Sequence, residues 1–304
     1  MLKLSVVLNF PIAPLYEAHC SFNFTPKFFL MFSLILMLVS LPSELDPNGT
    51  TLIPSDRIEI AHRNEEVWGQ TGHRVVGQIA EAYLSKKAKK EIDRLLEGHS
   101  LAFASTIADE IKSDRAYDSF SPWHYVNYEM GGHYNPSNAD ERGDIVYGIQ
   151  KSIEVLESKD ASDADKRFYL KLLIHFIGDL HQPLHVGRAE DQGGNRIQVN
   201  WFSRTSNLHR VWDSDLIDGY NMSYDELAEE LVRSTTTEER NELTKGTYLD
   251  WVEESHQIVE RIYASASSGD RLGYRYTYDF NPLLFEQLAK GGFRLAKVLN
   301  ELFD

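Results

Sequence analysis

From Trp68 to Asp304 the sequence predicts a mainly α protein, a single helical domain with one small β-hairpin. Two patterns predict the fold class. Apolar residues recur at three- and four-residue spacing through most of this stretch, the period of one helical face. Strict alternation, the strand signature, is confined to "HYVNYE" (124–129) and "NRIQVNWF" (195–202), where Ile197, Val199 and Trp201 alternate with polar residues. No repeat, low-complexity tract or linker interrupts the chain after Trp68. A hydrophobic share of 42% against 25% charged residues supplies a sizeable core and excludes a mostly disordered chain.

Taken in order, the first element is not part of the fold. A continuous apolar run, Phe28–Leu41, follows Lys27; it is short for a membrane span and suits a signal-peptide core. Residues 1–43 are therefore read as a signal peptide, 44–67 as a polar tail or propeptide, and 68–304 as the functional domain. A secreted or periplasmic protein is expected, with no stable membrane insertion of the mature form; a signal anchor is the alternative. The one cysteine, Cys20, falls in the leader, so the mature fold contains no disulfide and depends on its core and any bound metal.

Helices follow. Val75, Val76, Ile79, Ala80 and Tyr83 form an apolar stripe, and the next helix starts at Ser85 and stops at Gly98. The same period marks 142–159, 163–180, 223–232, 247–266 and 281–303. Between them, Gly193 and Gly194 ahead of Asn195 permit either a hairpin turn or a close approach of backbone to a ligand. "DQGGN" has neither the P-loop nor the dinucleotide-binding spacing.

The chemistry concentrates in "LKLLIHFIGDLHQPLHV" (170–186). His175 and Asp179 are four apart, about 40° apart on one helical face, in an otherwise apolar segment. Pro183 ends the helix and His185 follows it. A carboxylate and two imidazoles near the end of a buried helix are poor core material and good metal ligands. Standing alone, the segment also reads as a core helix with hydrogen-bonded histidines. His209 and Asp213 repeat the spacing on a second expected helix; Asp109 lies on an apolar face with Ile107 and Ile111; His124 sits between Trp123 and Tyr125; His73 heads the first helix, five residues after Trp68. Five histidines and three aspartates outnumber the four ligands of one tetrahedral zinc, so a cluster of two or three zincs is the simplest account. Imidazole and carboxylate suit zinc, and no thiolate competes. His62, His99, His133, His181 and His256 have no partner at useful spacing and are read as core or surface residues.

Six motifs in order, W-G-x-x-G-H (Trp68–His73), A-D (Ala108, Asp109), W-H-Y (Trp123–Tyr125), H-F-x-G-D-x-H-Q-P-L-H (His175–His185), D-x-G-G-N (Asp191–Asn195) and H-x-x-W-D (His209–Asp213), resemble those of the zinc-dependent single-strand-specific nucleases of fungi and plants, a family that shares its fold with bacterial zinc phospholipases C. The resemblance implies three zincs. Asp109, His124, His175 and Asp179 would hold the first. Asp179 would bridge to a second, held by His73 and by the amino nitrogen and carbonyl oxygen of Trp68. His185, His209 and Asp213 would hold the third. It also implies catalytic roles for Asp109 and Asp179. Among their neighbours, Lys112 stands one turn on from Asp109, where it either neutralises charge on that carboxylate or a phosphate oxygen or is a solvated surface lysine; Tyr125 and Asn127 flank His124, where a base can stack on the ring and hydrogen-bond to the amide; and Asn195, which closes D-x-G-G-N, is the fourth candidate substrate contact. The expected reaction is hydrolysis of single-stranded RNA and DNA to 5′-phosphorylated products, with 3′-nucleotides as further substrates, by a monomer.

Two other readings remain at this stage: a zinc phospholipase C acting on lipid headgroups, and a non-catalytic envelope zinc-binding protein. Against the first, Asp213 stands where the phospholipases have a glutamate. Against the second, no flexible histidine-rich tract is present. The net charge of −15 excludes a duplex-coating protein but not a nuclease. Three divalent ions contribute about +6 against about −3 from three aspartates, leaving a positive pocket in an acidic protein.

Overall fold

Side chains that accept the first free N–H groups fix where the helices start. The computed structural model describes residues 69–304, in which helices dominate. Ser85 Oγ accepts from the Ala88 amide to begin α2 (Lys86–Leu95), which follows α1 (Gln70–Ala82). Two short helices, α3 (Leu101–Ala104) and α4 (Ile107–Glu110), lead to a 3-10 stretch, Arg115–His124. Asp144 caps α5 (Ile145–Glu157) and Ser162 caps α6 (Asp163–Leu180). The later helices are α7 (Leu208–Arg210), α8 (Leu216–Asp218), α9 (Tyr224–Ser234), α10 (Thr237–Leu243), α11 (Tyr248–Tyr263) and α12 (Tyr274–Phe303). Capping boxes, in which two side-chain and backbone pairs satisfy each other, open α9, α10 and α11. The expected leader, the tail and Trp68 lie outside the described residues.

The core forms where α1 packs on α12 and α6 packs on α5. Gly292 permits the first contact: a Cβ there would stand 2.5 Å from the Ile79 side chain. Along α6 every residue from Leu172 to Leu180 is buried, which is why His175 and Asp179 sit in the interior rather than on a wet face. Expected from residue 281, the last helix begins two turns earlier. Pro282 removes one backbone donor without ending it, because Tyr276 and Phe280 anchor the preceding turns; Tyr276 accepts from Trp212 Nε1 at 2.9 Å.

Strands β1 (Gln198–Trp201) and β2 (Arg204–Asn207) form a hairpin, antiparallel with Gln198 opposite Asn207; β1 lies in the alternating run 195–202, whereas β2 lies outside both alternating runs and Gly193–Gly194 joins no two strands. A third strand, β3 (Arg271–Leu272), adds parallel to β1, giving the order β2-β1-β3. Two residues are too few to leave an alternating pattern in sequence. The other alternating run, 124–129, joins no sheet: His124 closes the 3-10 stretch and the chain turns extended at Tyr125. Instead the Val126 and Tyr128 amides donate to His185 O and Gly187 O, at 2.8 and 3.1 Å, lining this run up beside the turn that follows α6. Among the described residues no helix is long and apolar enough to cross a membrane.

One charged group supports the fold behind α6. Glu254 of α11 accepts from Arg294 at 2.5 Å and from Lys290, and Arg294 also donates to His181 Nε2 at 3.0 Å. Burial works to raise the Glu254 pKa, but Lys290 and Arg294 outweigh it and hold the carboxyl below its usual range. Glu254→Gln should cost about 2 kcal/mol, since it leaves the buried Arg294 guanidinium without its counter-charge. A folded-state pKa below the unfolded one means this stabilisation is present above the unfolded value and lost as pH falls through the folded one. Chemical denaturation at neutral and acidic pH should therefore show the two proteins converging on the acid side.

Candidate metal centre

Seven elements deliver eight side chains to one place. From α6, His175 and Asp179 emerge fully buried, one turn apart. His73 of α1 stacks on His175 with ring centroids 3.8 Å apart and reaches Asp179 at 3.3 Å. Asp109, at the end of α4, lies 3.2 Å from His175 Nε2 and 3.6 Å from His124 Nδ1. His185 stands in the 3-10 turn after α6, and His209 in α7 stacks on it at 5.0 Å. Between α7 and α8 the backbone widens to a π turn, Val211–Asp215, so the second expected helix is interrupted where it presents Asp213, 3.4 Å from His185 Nε2.

These residues form three groups whose ligand atoms lie within 4.8 Å of one another: His73, His175 and Asp179; Asp109, His124 and His175; His185, His209 and Asp213. Asp179 is the hub. Its oxygens lie 3.3 Å from His73, 2.8 Å from His124, 3.1 Å from His175 and 3.2 Å from His185. Backbone carbonyls orient three of the rings: Nδ1 of His175, His185 and His209 faces Ser105 O, His124 O and Gly193 O, at 2.6, 2.9 and 2.8 Å. Each Nε2 is thereby turned away from its carbonyl and free for a ligand role, the arrangement typical of metal-binding histidines.

The residues fit a metal. Asp179 Oδ1, His185 Nε2 and Asp213 Oδ2 are buried without a hydrogen-bond partner, a costly condition that a cation relieves. Protons partly take its place. Burial opposes charge on His175 and His185, yet Asp109 and Asp179 push His175 up to about 10, and Asp179 and Asp213 push His185 up to about 10. Burial pulls His124 down to about 3, with Lys112 adding to it, and His209 down to about 4; burial and His175 also lower His73. Burial acts to raise Asp109 and Asp179, but the neighbouring cations outweigh it and both stay below the carboxylate range.

Above the ligands a cleft of about 330 Å³ is lined by Lys112, Ser121, Tyr125, Asn127, Gln192 and Asn195 together with His124, His185 and His209. All four residues expected to touch substrate are among them. Lys112 Nζ is 3.2 Å from Asp109, and the Tyr125 side chain is half exposed. His133 is exposed and pairs with Glu253; His181 and His256 are buried and hydrogen-bonded, and His99 stacks on Phe103. His62 lies outside the described residues, as does Trp68.

Two supporting residues were not singled out by the sequence reading, although both stand in its motifs. Gln182 donates to Asp213 at 3.2 Å while its carbonyl caps the Leu184 amide. Asp191 accepts from the Gly194 amide, Tyr263 and Arg188 at 2.8, 3.0 and 2.6 Å, holding the glycine loop that orients His209. At Gly193, φ is +62° and a Cβ would lie 2.4 Å from Leu184 O, so that loop requires glycine. Gly178 serves His73 in a similar way: a Cβ there would lie 2.7 Å from its Nδ1. Gly178→Ala should displace His73, with activity down about tenfold or more and metal content reduced. Metal analysis beside a steady-state assay checks this; unchanged values would show that His73 has room to move.

The sequence profile of the S1/P1 nucleases matches residues 68–304. The chain belongs to the S1/P1 nuclease family. Endonuclease 2 of Arabidopsis thaliana is 33% identical over 264 residues, covering 78% of this chain and 90% of its own. Endonuclease 4 of the same plant is 32% identical over 267 residues, covering 78% and 89%. Nuclease S1 of Aspergillus oryzae is 29% identical over 268 residues, covering 77% and 91%. As an S1/P1 nuclease this protein is a hydrolase of phosphodiester bonds, and its three His/Asp groups are able to hold metal.

Proposed function

We propose that the protein is an exported, monomeric endonuclease that binds three zinc ions, cleaves single-stranded DNA and RNA to 5′-phosphorylated products, and hydrolyses 3′-nucleotides. The observation that carries this reading is the hub: one buried carboxylate, Asp179, facing four imidazoles beneath a cleft lined with a lysine, a tyrosine and amides. In this reading Asp109, His124, His175 and Asp179 hold one zinc. His73 and Asp179, with Trp68, hold a second, and His185, His209 and Asp213 a third. Bound zinc supplies Lewis acidity, lowering the pKa of water towards 7 and offsetting phosphate charge.

The chain's own residues do the rest. Asp109, held among His124, His175 and Lys112, orients the attacking water through a carboxylate oxygen, while the Lys112 ammonium offsets charge on that carboxylate or on a phosphate oxygen. Tyr125 offers a ring for a base to stack on, and the Asn127 and Asn195 side chains offer amides for its polar edge. Ligand atoms at the floor of a narrow cleft favour a strand that can bend to reach them, which a rigid duplex resists.

The test is turnover of a single-stranded oligonucleotide against phosphatidylcholine by purified protein beginning at Trp68. Cleavage of the oligonucleotide with 5′-phosphate ends supports the reading. Preference for the lipid would make the protein a phospholipase C, and no turnover of either would leave a zinc-binding protein. Metal analysis of the same sample should give close to three zincs per chain; a reproducible value near one overturns the trinuclear assignment.

A further inference from the structure

His256 does not belong to any of the three metal groups, yet it occupies the junction that sets their spacing. It lies on α11, is 2% exposed, and has both ring nitrogens on backbone carbonyls: Nδ1 is 2.9 Å from Val186 O and Nε2 is 3.0 Å from Glu129 O. One carbonyl belongs to the turn that contains His185, the other to the run that follows His124 at the end of the 3-10 stretch. Tyr128 of the same run stacks on the imidazole at 3.8 Å. On the cleft side the two segments are joined by two backbone hydrogen bonds, Val126 N to His185 O and Tyr128 N to Gly187 O, and by the His185 ring, whose Nδ1 faces His124 O. Such a pair is too short to hold its register alone.

We infer that His256 is a positioning residue for the metal centre: it clamps the run 124–129 against the 183–187 turn from behind, and so fixes His124 and His185, which belong to different metal groups, relative to each other. The chemistry is specific to imidazole. Its two nitrogens point in divergent directions from a rigid ring, so one side chain reaches carbonyls on two separate segments, donating to one of them in either neutral tautomer and to both when doubly protonated; an amide or hydroxyl donates from a single atom. Tyr128 fills the ring face, and its hydroxyl is buried without a hydrogen bond, so the tyrosine contributes by packing alone. Residue types do not mark this role, because both partners are backbone carbonyls.

The role is read first in the zinc-free protein, without reference to activity. In His256→Leu, hydrogen exchange at the Val126 and Tyr128 amides should speed up at least tenfold while core amides of α6 keep their protection. The inference also rests on the proposed zinc-dependent activity, and that part is read separately. With the variant fully folded well below its melting temperature, kcat should fall about tenfold with KM changed less than threefold. Zinc affinity in direct titration should weaken in parallel, and His256→Gln, keeping one donor, should recover part of each loss. Tyr128→Phe should match wild type throughout. A lowered melting temperature with exchange, zinc affinity and kcat all within twofold of wild type would overturn the inference and make His256 a stabilising core residue only. Should His256→Leu fail to fold, His256→Gln decides by the same readouts, wild-type values overturning it. If wild-type protein shows no zinc-dependent turnover, the functional reading fails while the exchange result still decides the clamp.

Discussion

Asp179→Asn is expected to abolish turnover, lowering it on the order of 10³-fold or more, and to release at least one zinc of the inner pair while the helical circular-dichroism signal stays largely intact. The residue is fully buried and lies within 3.3 Å of four imidazoles, which places it to serve two neighbouring cations at once. Two divalent ions a few ångströms apart repel strongly at low dielectric, and a bridging carboxylate offsets that repulsion where a neutral amide of the same size does not. In the metal-free state the change is milder. Asp179 helps keep protons on His175 and His185, and without its charge both rings lose them more readily. Removing metal from the wild type with a chelator should lower thermal stability, because the buried carboxylates and imidazoles lose their common counter-charge. Near-normal turnover in Asp179→Asn would show that the residue supports the fold and does not bridge metal.

The helices and the metal residues were legible because each leaves a local mark. A cap such as Ser85 or Asp144, a stop such as Gly98 and a 3.6-residue apolar period all lie within a few positions of each other. His175 and Asp179 were conspicuous as polar residues in a segment that is buried all round, and His209 and Asp213 repeated their spacing. What stayed hidden depends on partners distant in sequence. β3 is two residues that pair with β1 from about seventy positions away, and the run after His124 is held by hydrogen bonds to the 185–187 turn, not by joining a sheet. The π turn at Val211–Asp215 changes the backbone without changing the i, i+4 spacing that suggested a helix. Gln182 and Asp191 act through backbone amides and through other ligands, and such roles have no residue-type signature.

The last expected effect concerns the residues ahead of the described chain. Gly69, the first described residue, donates its amide to Asp213 O at 2.7 Å, and a Cβ on it would lie 2.7 Å from Ser214 Oγ. One turn later His73 reaches Asp179. The start of α1 is thus pinned between the outer group and the inner one, which bears on the role that the family resemblance implies for the α-amino nitrogen of Trp68. If that nitrogen is a zinc ligand, protein retaining residues 44–67 presents an amide there instead of an amine. An amide nitrogen is a poor donor to zinc, so the inner pair loses a ligand it requires. Activity should then fall about 100-fold or more, on the scale of other ligand-shell losses, and zinc content should drop in the same sample. Proteolytic trimming to Trp68 should restore both together, and mass spectrometry of protein recovered from its native compartment should find its first residue at Trp68. Full activity and full zinc content with the tail still attached would mean that His73, Asp109, His124, His175 and Asp179 complete the inner sites without the terminal amine.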